Sequence, residues 1–286
     1  MADAQSAETF YLLRCNPPCY SARHLLKRTA MHDQHFDDLA IRFAQKIYGS
    51  NKGAIRLAVL QTDLNEVLPQ RPLRVLDIGA GLGHMALWLA QQGHQVTLVE
   101  PALAMLEAAQ QRFSEAQCQA TFVHADWQNF AEQEHRPYDL VLCHAVLEWL
   151  AEPSAILTAL HRLTATDGWL SLAFYNKDGL ILQNLIKGNL RKLSQQRFTG
   201  DAGGLTPQQP LDPRELAAIV EPLWKIQQRS GIRVFHDYMP PQFRQKIAPE
   251  ELLSTELSYR RHPALAGLGR YLHWLCQPRS MAVDCN

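Results

Sequence analysis

The sequence predicts an α/β fold in which a mostly parallel β-sheet is covered by helices on both faces. Between residues 74 and 175, apolar runs of five to seven residues alternate with longer segments whose apolar residues have helical spacing. This alternation is typical of strands joined by crossover helices. A glycine-rich turn at residues 79–83 directly follows the first run, at the end of the sheet where such folds bind ligands.

The first part of the chain alternates regularly between helix and strand. A helix is predicted at 36–48, where apolar residues recur three and four positions apart, and a second at 52–68, ending before Pro69. The strands predicted next are 74–78, 95–100, 120–124, 139–143 and 169–175, and the helices between them are 83–92, 102–113 and 153–163.

The alternation stops after residue 175. Residues 177–212 contain several glycines among basic and polar residues, which indicates an insertion of one helix and a flexible loop, the usual place for a substrate lid. Asp212 and Pro213 then predict a helix at 212–222, as its N-cap and first residue. The last predicted elements are strands at 224–229, 233–238 and 271–276 and a helix at 249–261. Paired strands near the end of the chain favour an antiparallel edge of the sheet.

The composition of the chain limits the class of protein and the cellular compartment that we predict. With 47% hydrophobic and 20% charged residues, the 286-residue chain has the composition of an ordinary globular protein. No apolar run approaches the roughly 20 residues that span a bilayer. Residues 1–30 lack the apolar core of a secretory signal, so we predict a cytoplasmic protein without a membrane partner. The six cysteines are scattered without a C-x-x-C pair, which favours reduced thiols and predicts no metal site.

The first 30 residues differ from the rest of the chain in their pattern, and the two halves of the chain differ in their charge. Residues 1–30 contain Pro17-Pro18 and no sustained periodicity, so we predict a poorly ordered leader, with Met31 as a candidate for the true first residue. Residues 1–168 hold 13 Lys and Arg against 18 Asp and Glu, whereas residues 169–286 hold 15 against 10. This asymmetry predicts an anionic partner for the second half, with an ordinary solvated surface as the alternative.

The glycine-rich turn is the most informative motif. Asp77 is followed by Gly79, Gly81 and Gly83 at alternate positions. A dinucleotide-binding motif would need a small residue at position 84, where His84 stands. Asp-x-Gly-x-Gly-x-Gly instead resembles motif I of the class I S-adenosylmethionine (SAM) methyltransferases, which implies that the turn, including Ala80, lies under the amino-acid and ribose parts of SAM. The alternative is a turn that only permits close packing of strand and helix.

Acidic, aromatic and basic residues near this turn are candidate SAM ligands. Glu100 ends the second strand, 21 positions after Gly79, and its carboxylate would accept the two ribose hydroxyls, or merely cap the next helix. Asp126 and Trp127 follow the third strand and would contact adenine, or cap a helical turn and join the core. His144 ends the fourth strand, where a structural role is the alternative. Arg56 would bind the SAM carboxylate, or form a surface salt bridge.

Motifs outside the turn resemble one family. They include Phe36-Asp37-Asp38, Lys46–Gly49, His144–Trp149, Phe174-Tyr175-Asn176, Gly231–Tyr238 and Gly269-Arg270-Tyr271. Together they resemble the bacterial tRNA 5-carboxymethoxyuridine methyltransferases over residues 31–278. The resemblance implies a Rossmann-like, seven-stranded class I methyltransferase domain at 31–278 with the insertion at 177–212 and a tail at 279–286. It also implies a SAM site lined by Arg56, Asp77, Gly79, Ala80, Gly81, Glu100, Asp126, Trp127 and His144.

The resemblance implies that a carboxylate is esterified, namely that of 5-carboxymethoxyuridine at the wobble position in the anticodon region of tRNA. Such a carboxylate is already ionised at pH 7, so no general base is required. Arg233, His236 and Arg270 are candidates for steering it. Tyr175 and Tyr238 are candidates for stacking on the uracil, and phosphate contacts are predicted for Lys187, Arg191, Lys192 and Arg197.

Two other functions remain open at this point. An O-methyltransferase for a small or carrier-bound acid would share everything through residue 176 and differ in the basic second half. A methyltransferase-like domain could also bind RNA without turnover, although the intact glycine turn and both acids argue against it. A nicotinamide oxidoreductase is the weakest alternative because of His84.

Overall fold

The computed structural model of the chain describes residues 50–195, 207 and 209–280. The predicted leader at 1–30, the predicted helix at 36–48 and Arg197 lie outside these residues. The strands are β1 (Arg74–Ile78), β2 (Gln95–Val99), β3 (Thr121–Val123), β4 (Tyr138–His144), β5 (Thr164–Tyr175), β6 (Trp224–Ile232) and β7 (Tyr271–Pro278).

The seven strands form one sheet in the order β3-β2-β1-β4-β5-β7-β6. Each neighbouring pair from β3 to β5 is parallel, and β7 runs antiparallel to both β5 and β6. The predicted mostly parallel, seven-stranded sheet is therefore confirmed. Because β1 and β2 lie side by side and run in the same direction, the turn after Ile78 and the acid after Val99 meet at one edge of the sheet.

Helices cover both faces of the sheet. They are α1 (Asn51–Asn65), α2 (His84–Gln91), α3 (Leu103–Glu115), α4 (Trp127–Gln133), α5 (Pro153–Leu163), α6 (Lys177–Ile186), α7 (Leu190–Ser194), α8 (Pro213–Val220), α9 (Pro241–Arg244) and α10 (Pro249–Tyr259). The core has two parts, one on each side of the sheet. Leu140 and Leu142 of β4 belong to one part, and Val141 and Cys143 to the other, as the alternation of side chains along a strand requires.

One predicted strand is wrong. Residues 233–238 form turns and not a strand, since β6 ends at Ile232 and Arg233 takes a φ of +60° that bends the chain away. The carboxylate of Glu256 in α10 accepts the backbone N–H groups of Val234 at 2.9 Å and His236 at 2.8 Å, and also that of Phe235. A side chain thus takes the donors that a neighbouring strand would otherwise bind. The short helices α7 and α9 were not predicted, and α4 is the helical turn that the capping alternative for Asp126 predicts.

The insertion after β5 begins with two helices. Asn176 caps α6 by accepting the N–H of Asp178, and α7 follows after Gly188. The chain returns to the carboxyl end of β5 at Leu211, whose N–H donates to the carbonyl of Tyr175 at 2.9 Å. The insertion therefore leaves from and returns to the end of β5.

Within the described ranges, no helix is long and apolar enough to cross a membrane. Cys118, Cys143 and Cys276 are free thiols.

Candidate active site

The turn after β1 is shaped by glycine. Gly79, Gly81 and Gly83 have φ values of +64°, +55° and +68°, which side chains with a Cβ rarely adopt. A Cβ on Gly79 would lie 2.6 Å from Val146 Cγ2, so the turn could not carry one without moving its neighbour. The N–H groups of Gly79 and Ala80 donate to the Val99 carbonyl at 2.9 and 3.2 Å, which fixes the turn against β2.

Glu100 holds the turn from the other side. Its Oε2 accepts the N–H of Gly81 at 2.7 Å and its Oε1 accepts the N–H of Ala102 at 3.0 Å. The side chain is buried, and it lines the pocket above the turn. The second bond reaches Ala102, the residue before α3, and does not cap a backbone N–H of the helix itself. A carboxylate at this wall of the pocket is of the type that accepts ligand hydroxyls.

A pocket of about 1100 Å³, including its open mouth, lies above the carboxyl ends of β1, β2 and β4. All nine residues predicted to bind SAM line it: Arg56, Asp77, Gly79, Ala80, Gly81, Glu100, Asp126, Trp127 and His144. The predicted residues come from α1, β1, the end of β2, the start of α4 and β4, and the fold brings them together. The parallel strands explain this convergence, because their carboxyl ends lie at one edge.

The charges in the pocket are unequally paired. Arg56 is 8% exposed and forms no salt bridge with any described residue. Burial, reinforced by the charge of Glu100, raises the pKa of Asp77 to about 8, while Arg56 acts in the opposite direction. Among the described residues this buried guanidinium has no carboxylate partner, which suits a ligand carboxylate.

Asp126 and Trp127 lie where β3 leads into α4. Asp126 caps α4, accepting the Asn129 N–H at 2.7 Å and the Asn129 side-chain amide at 2.9 Å. The capping alternative is therefore confirmed, and Asp126 also lines the pocket. The indole N–H of Trp127 is buried and has no hydrogen-bond partner in the described part of the chain.

His144 is the last residue of β4 and faces the pocket beside Ala145, which has a φ of +60°. Its Nε2 lies 2.8 Å from Ser171 Oγ in β5. Burial, with the nearby charges of His273 and Arg56, lowers the pKa of His144 well below the usual histidine value. The ring that the pocket presents is therefore neutral.

The three residues predicted to steer a carboxylate meet around Asp237. Asp237 Oδ2 lies 3.7 Å from Arg233 Nη2 and 4.0 Å from Arg270 Nε, and its Oδ1 lies 2.9 Å from His236 Nδ1. Burial alone would raise the pKa of Asp237, but the hydrogen bond with His236 and the charges of Arg233 and Lys52 lower it well below its ordinary value. Asp237 is therefore ionised.

Two further cations complete this group, which we call the basic cluster: Lys52, Arg233, Arg244 and Arg270 around Asp237. Partial burial and the charges of the three arginines lower the pKa of Lys52, and Asp237 opposes them. Lys52, Arg233 and Arg270 thus lie near one carboxylate, and Arg244 donates to the neighbouring His236 carbonyl at 3.2 Å. Arg233 Nε and Arg270 Nη1 are buried and have no hydrogen-bond partner among the described residues. Buried donors without partners are costly, so the cluster is suited to bind an anion.

The two predicted stacking residues lie against this cluster. Tyr175 is buried, and the Arg270 guanidinium lies 4.7 Å from the centroid of its ring and donates to its hydroxyl. The Tyr238 hydroxyl donates to the carbonyls of Leu268 and, at 3.1 Å, Gly179. One ring is therefore covered by a guanidinium and the other is tied to the start of α6.

The predicted phosphate ligands Lys187, Arg191 and Lys192 are exposed at the end of α6 and in α7. The α6 side chain of Gln183 donates to the Asp237 carbonyl at 3.5 Å, which joins this helix to the basic cluster. Arg197 lies outside the described residues.

Sequence reasoning missed several residues of the site. Lys52 precedes Arg56 by one helical turn on α1, a spacing that could have drawn attention to it. Asp237 is adjacent to the predicted His236. Glu148 is fully buried, and neither of its oxygens has a partner of normal hydrogen-bond geometry in the described part of the chain. No group of three or more potential metal ligands occurs among the residues described.

Comparisons with known proteins place this geometry among methyltransferases. A family model described as a methyltransferase domain matches residues 75–168. The chain is 39% identical over 251 residues to the tRNA 5-carboxymethoxyuridine methyltransferase of Escherichia coli strain K12, covering 85% of this chain and 95% of that protein. It is 28% identical over 106 residues to the ubiquinone biosynthesis O-methyltransferase of Salmonella paratyphi A, covering 37% of this chain and 44% of that protein.

Among solved structures, the magnesium protoporphyrin IX methyltransferase of Synechocystis PCC 6803 with bound SAH aligns with a TM-score of 0.58. The sequence identity is 20%, and the alignment covers 86% of this chain and 96% of that one. At this identity the likeness is one of fold.

Proposed function

Since this chain belongs to the family of tRNA 5-carboxymethoxyuridine methyltransferases, we propose that it transfers a methyl group from SAM to the carboxylate of 5-carboxymethoxyuridine in tRNA. The product is the methyl ester, 5-methoxycarbonylmethoxyuridine. The observation that carries this function is the position of the basic cluster beside the pocket: Arg56 of the pocket and Arg233 of the cluster both lie over the ring of Tyr271.

The residues of the pocket fit SAM. Arg56 would bind its carboxylate, because this buried guanidinium has no carboxylate partner among the described residues. Glu100 would accept its ribose hydroxyls, and Gly79 and Gly81, which carry no side chains, would let the ligand approach the backbone of the turn. Asp126 and Trp127 would contact the adenine. SAM supplies the electrophilic methyl group.

The basic cluster would hold the acceptor. The substrate carboxylate arrives ionised, so the chain needs to orient it and not to remove a proton. Arg233 and Arg270 each have one buried N–H donor without a partner among the described residues. The His236 ring forms a hydrogen bond with Asp237. Asp237 offsets part of the positive charge, which would keep the bound carboxylate from being neutralised by a full salt bridge and losing its reactivity.

The surrounding tRNA would contact the insertion. Lys187, Arg191 and Lys192 are exposed and would bind phosphates of the anticodon region, and we assign Arg197 the same role from its sequence position. Tyr238 or Tyr175 would stack on the uracil, and for Tyr175 this requires the Arg270 guanidinium to leave its ring. The wobble position is the proposed target, and the cytoplasm the proposed compartment.

Mass spectrometry of tRNA nucleosides tests the function. Purified protein is incubated with SAM and with tRNA carrying 5-carboxymethoxyuridine, and the wobble nucleoside is expected to gain one methyl group. The matched control tRNA carries unmodified uridine at that position and is expected to stay unchanged. Methylation of a small carboxylic acid but not of the tRNA, or SAM binding without any methylated nucleoside, would refute the proposal.

A further inference from the structure

Phe243 is the more exposed of two aromatic side chains among the large hydrophobic residues that the described part of the chain leaves exposed. Its exposed fraction is 57%, and that of the other, Tyr259, is 42%. Phe243 belongs to α9, the short helix between the turns at 233–238 and α10. A single hydrophobic residue on a protein surface is common, so exposure alone does not indicate a function. The surroundings of Phe243 distinguish it from an ordinary surface residue.

Phe243 lies midway in a segment whose two ends are packed against the core. Met239 and Ile247, four positions before and four positions after it, both pack against the part of the core that includes Val59 of α1. Phe243 belongs to neither part of the core. The segment therefore has packing sites for apolar side chains on both sides of Phe243, and the fold leaves this ring out of them.

The backbone that carries the ring is well fixed. Pro240 and Pro241 have restricted φ angles, and the Pro240 carbonyl accepts the N–H groups of Phe243 and Arg244, both at 3.1 Å. The N–H of Lys246 donates to the Phe243 carbonyl at 3.0 Å. Because its backbone is already ordered, the ring loses little conformational entropy when it binds a ligand.

Arg244 connects α9 with the basic cluster. Its Nη1 donates to the His236 carbonyl at 3.2 Å, and its charge is one of those that lower the pKa of Lys52. Neighbouring Cα atoms are about 3.8 Å apart, and consecutive side chains of a helix project in directions about 100° apart. Since Arg244 is the residue that reaches the cluster, Phe243 lies beside the cluster and not inside it.

The surface around Phe243 is positively charged. Residues 238–249 include Arg244 and Lys246 and no acidic residue, and Lys246 is exposed. The adjoining basic cluster adds further cations that outnumber its one carboxylate, Asp237. Proteins that bind single-stranded nucleic acid combine cations, which bind phosphates, with exposed aromatic rings, which stack on bases. The surroundings of Phe243 have both parts of this arrangement.

The two tyrosines assigned to the uracil do not offer an exposed ring of this kind. Tyr175 is buried, with the Arg270 guanidinium over its ring, and the Tyr238 hydroxyl is bound to two backbone carbonyls. Phe243 lies outside the cluster that would hold the uridine carboxylate. It is therefore placed for a different base from the one that is methylated.

We propose that Phe243 stacks on an unpaired base next to the modified uridine, so that the chain recognises a strand of RNA and not a single nucleotide. The inference rests on the proposed function, because it takes the uridine carboxylate to be bound at the basic cluster. Arg244 and Lys246 would lie along the phosphates of the same strand. Since every base has a face on which a ring can stack, this contact tolerates tRNAs that differ at the neighbouring position.

Binding of tRNA that carries 5-carboxymethoxyuridine at the wobble position tests this contact. SAH replaces SAM so that no transfer occurs, and fluorescence anisotropy measures the affinity. Phe243→Ala is expected to weaken binding about fivefold to a hundredfold, as loss of one stacked base does. Phe243→Trp, which keeps a flat ring, should bind at least as tightly as wild type, whereas Phe243→Leu should bind nearly as weakly as Phe243→Ala. Wild-type affinity in Phe243→Ala or in Phe243→Leu would overturn the proposal.

Tyr259→Ala is the matched control for this series. Tyr259 is also an exposed aromatic residue on a helix, but α10 contains three glutamates and neither lysine nor arginine. Its removal should leave tRNA affinity within about twofold of wild type, because it shares no partner with Phe243. A loss as large as that in Phe243→Ala would show that any exposed ring has this effect, and would overturn the proposal.

Removing single bases from the tRNA identifies the stacking partner. The base directly before or directly after the modified uridine is left out in tRNAs assembled from synthetic fragments. Wild-type affinity is expected to fall for one of these two RNAs, and for that RNA Phe243→Ala should cause no further loss, since both changes remove the same contact. If Phe243→Ala weakens the intact RNA and both shortened-base RNAs equally, the proposal is refuted.

These measurements separate the inference from the proposed function. If wild-type protein neither binds nor methylates the tRNA, the proposed function fails and this inference fails with it. If the tRNA is methylated and Phe243→Ala shows an unchanged KM for it, the function stands and the stacking role is refuted. A changed oligomeric state of Phe243→Ala in sedimentation, together with unchanged tRNA affinity, would assign the ring to a contact between copies of the chain and also refute the proposal.

Discussion

The guanidinium groups of Arg56 and Arg233 both lie over the ring of Tyr271, at 5.1 and 5.5 Å from its centroid. Arg56 belongs to the donor pocket and Arg233 to the basic cluster, so one aromatic ring adjoins both sites. Methyl transfer needs the reacting atoms about 3–3.5 Å apart before reaction. Two sites separated by a single side chain meet this need without a large movement of the fold.

We expect Glu100→Gln to weaken SAM binding about tenfold to a hundredfold, because hydrogen bonds to a charged group contribute about 1.5–3 kcal/mol. Glutamine keeps one carbonyl oxygen for the N–H of Gly81 or Ala102, so the turn should keep its fold. Isothermal calorimetry measures the affinity, and circular dichroism checks the fold. Glu107→Gln, on the exposed face of α3, is the control. Unchanged affinity in Glu100→Gln would remove the ribose assignment.

Arg233→Ala should reduce kcat/KM for the tRNA about tenfold to a hundredfold through loss of a charged hydrogen bond to the substrate carboxylate. SAM affinity should stay within about twofold, since Arg233 does not line the donor pocket. Arg229→Ala provides the matched control: Arg229 also lies over an aromatic ring, that of Trp274, but pairs with Glu221 away from the cluster. Wild-type turnover in Arg233→Ala would end the steering role.

Replacing Lys187, Arg191 and Lys192 together by alanine should weaken tRNA binding and flatten its dependence on salt. Each phosphate contact to a single strand contributes about 0.7 to the slope of log affinity against log salt, so the slope should fall by about 2. Fluorescence anisotropy over a series of salt concentrations measures it. Lys225→Ala, an exposed position on β6, should leave the slope as it is. An unchanged slope in the triple variant would place the phosphates elsewhere.

The donor pocket could be predicted because its residues lie close to strand ends in the sequence. Gly79, Glu100, Asp126 and His144 each follow or end a predicted strand, and parallel strands bring such positions to one edge. The positions of strand ends do not identify the substrate, for which the extent of the match to known proteins is more informative. The ubiquinone biosynthesis enzyme matches over 106 residues, whereas the tRNA methyltransferase matches over 251, which favours the tRNA function over the small-acid alternative.

The basic cluster was predicted only in part, because long-range contacts build it. The strand wrongly predicted at 233–238 contains Val234, Phe235 and Tyr238, residue types that favour strands, but its N–H groups bind Glu256, about 20 positions later. No local pattern shows that a buried carboxylate will replace a sheet partner. Lys52 lies close enough to Arg270 to be affected by its charge, although more than 200 positions separate them, and no local pattern predicts this proximity either. Local periodicity gives elements and strand ends, while the pairing of buried charges depends on the finished fold.

Glu148 should make the stability of the protein depend on pH in a defined window. Burial raises the pKa of Glu148 to about 7 from an ordinary value of 4.5, against the weaker lowering influence of nearby backbone N–H groups and Arg56. Between these two values the unfolded chain has lost the proton that the folded chain keeps. The free energy of unfolding that Glu148 supports is therefore complete below pH 4.5, declines as the pH rises to about 7 and is constant above it.

Glu148→Gln removes this titration, so its stability relative to wild type should rise between pH 5 and pH 8 by on the order of 1–3 kcal/mol. Urea unfolding at several pH values measures the difference. Glu148→Asp retains a carboxyl in the same place and should not show the same gain with pH, although it loses packing. A difference between Glu148→Gln and wild type that stays constant from pH 5 to pH 8 would mean that this buried carboxyl is ionised throughout, and that Arg56 serves as its partner and not as a free ligand for the donor.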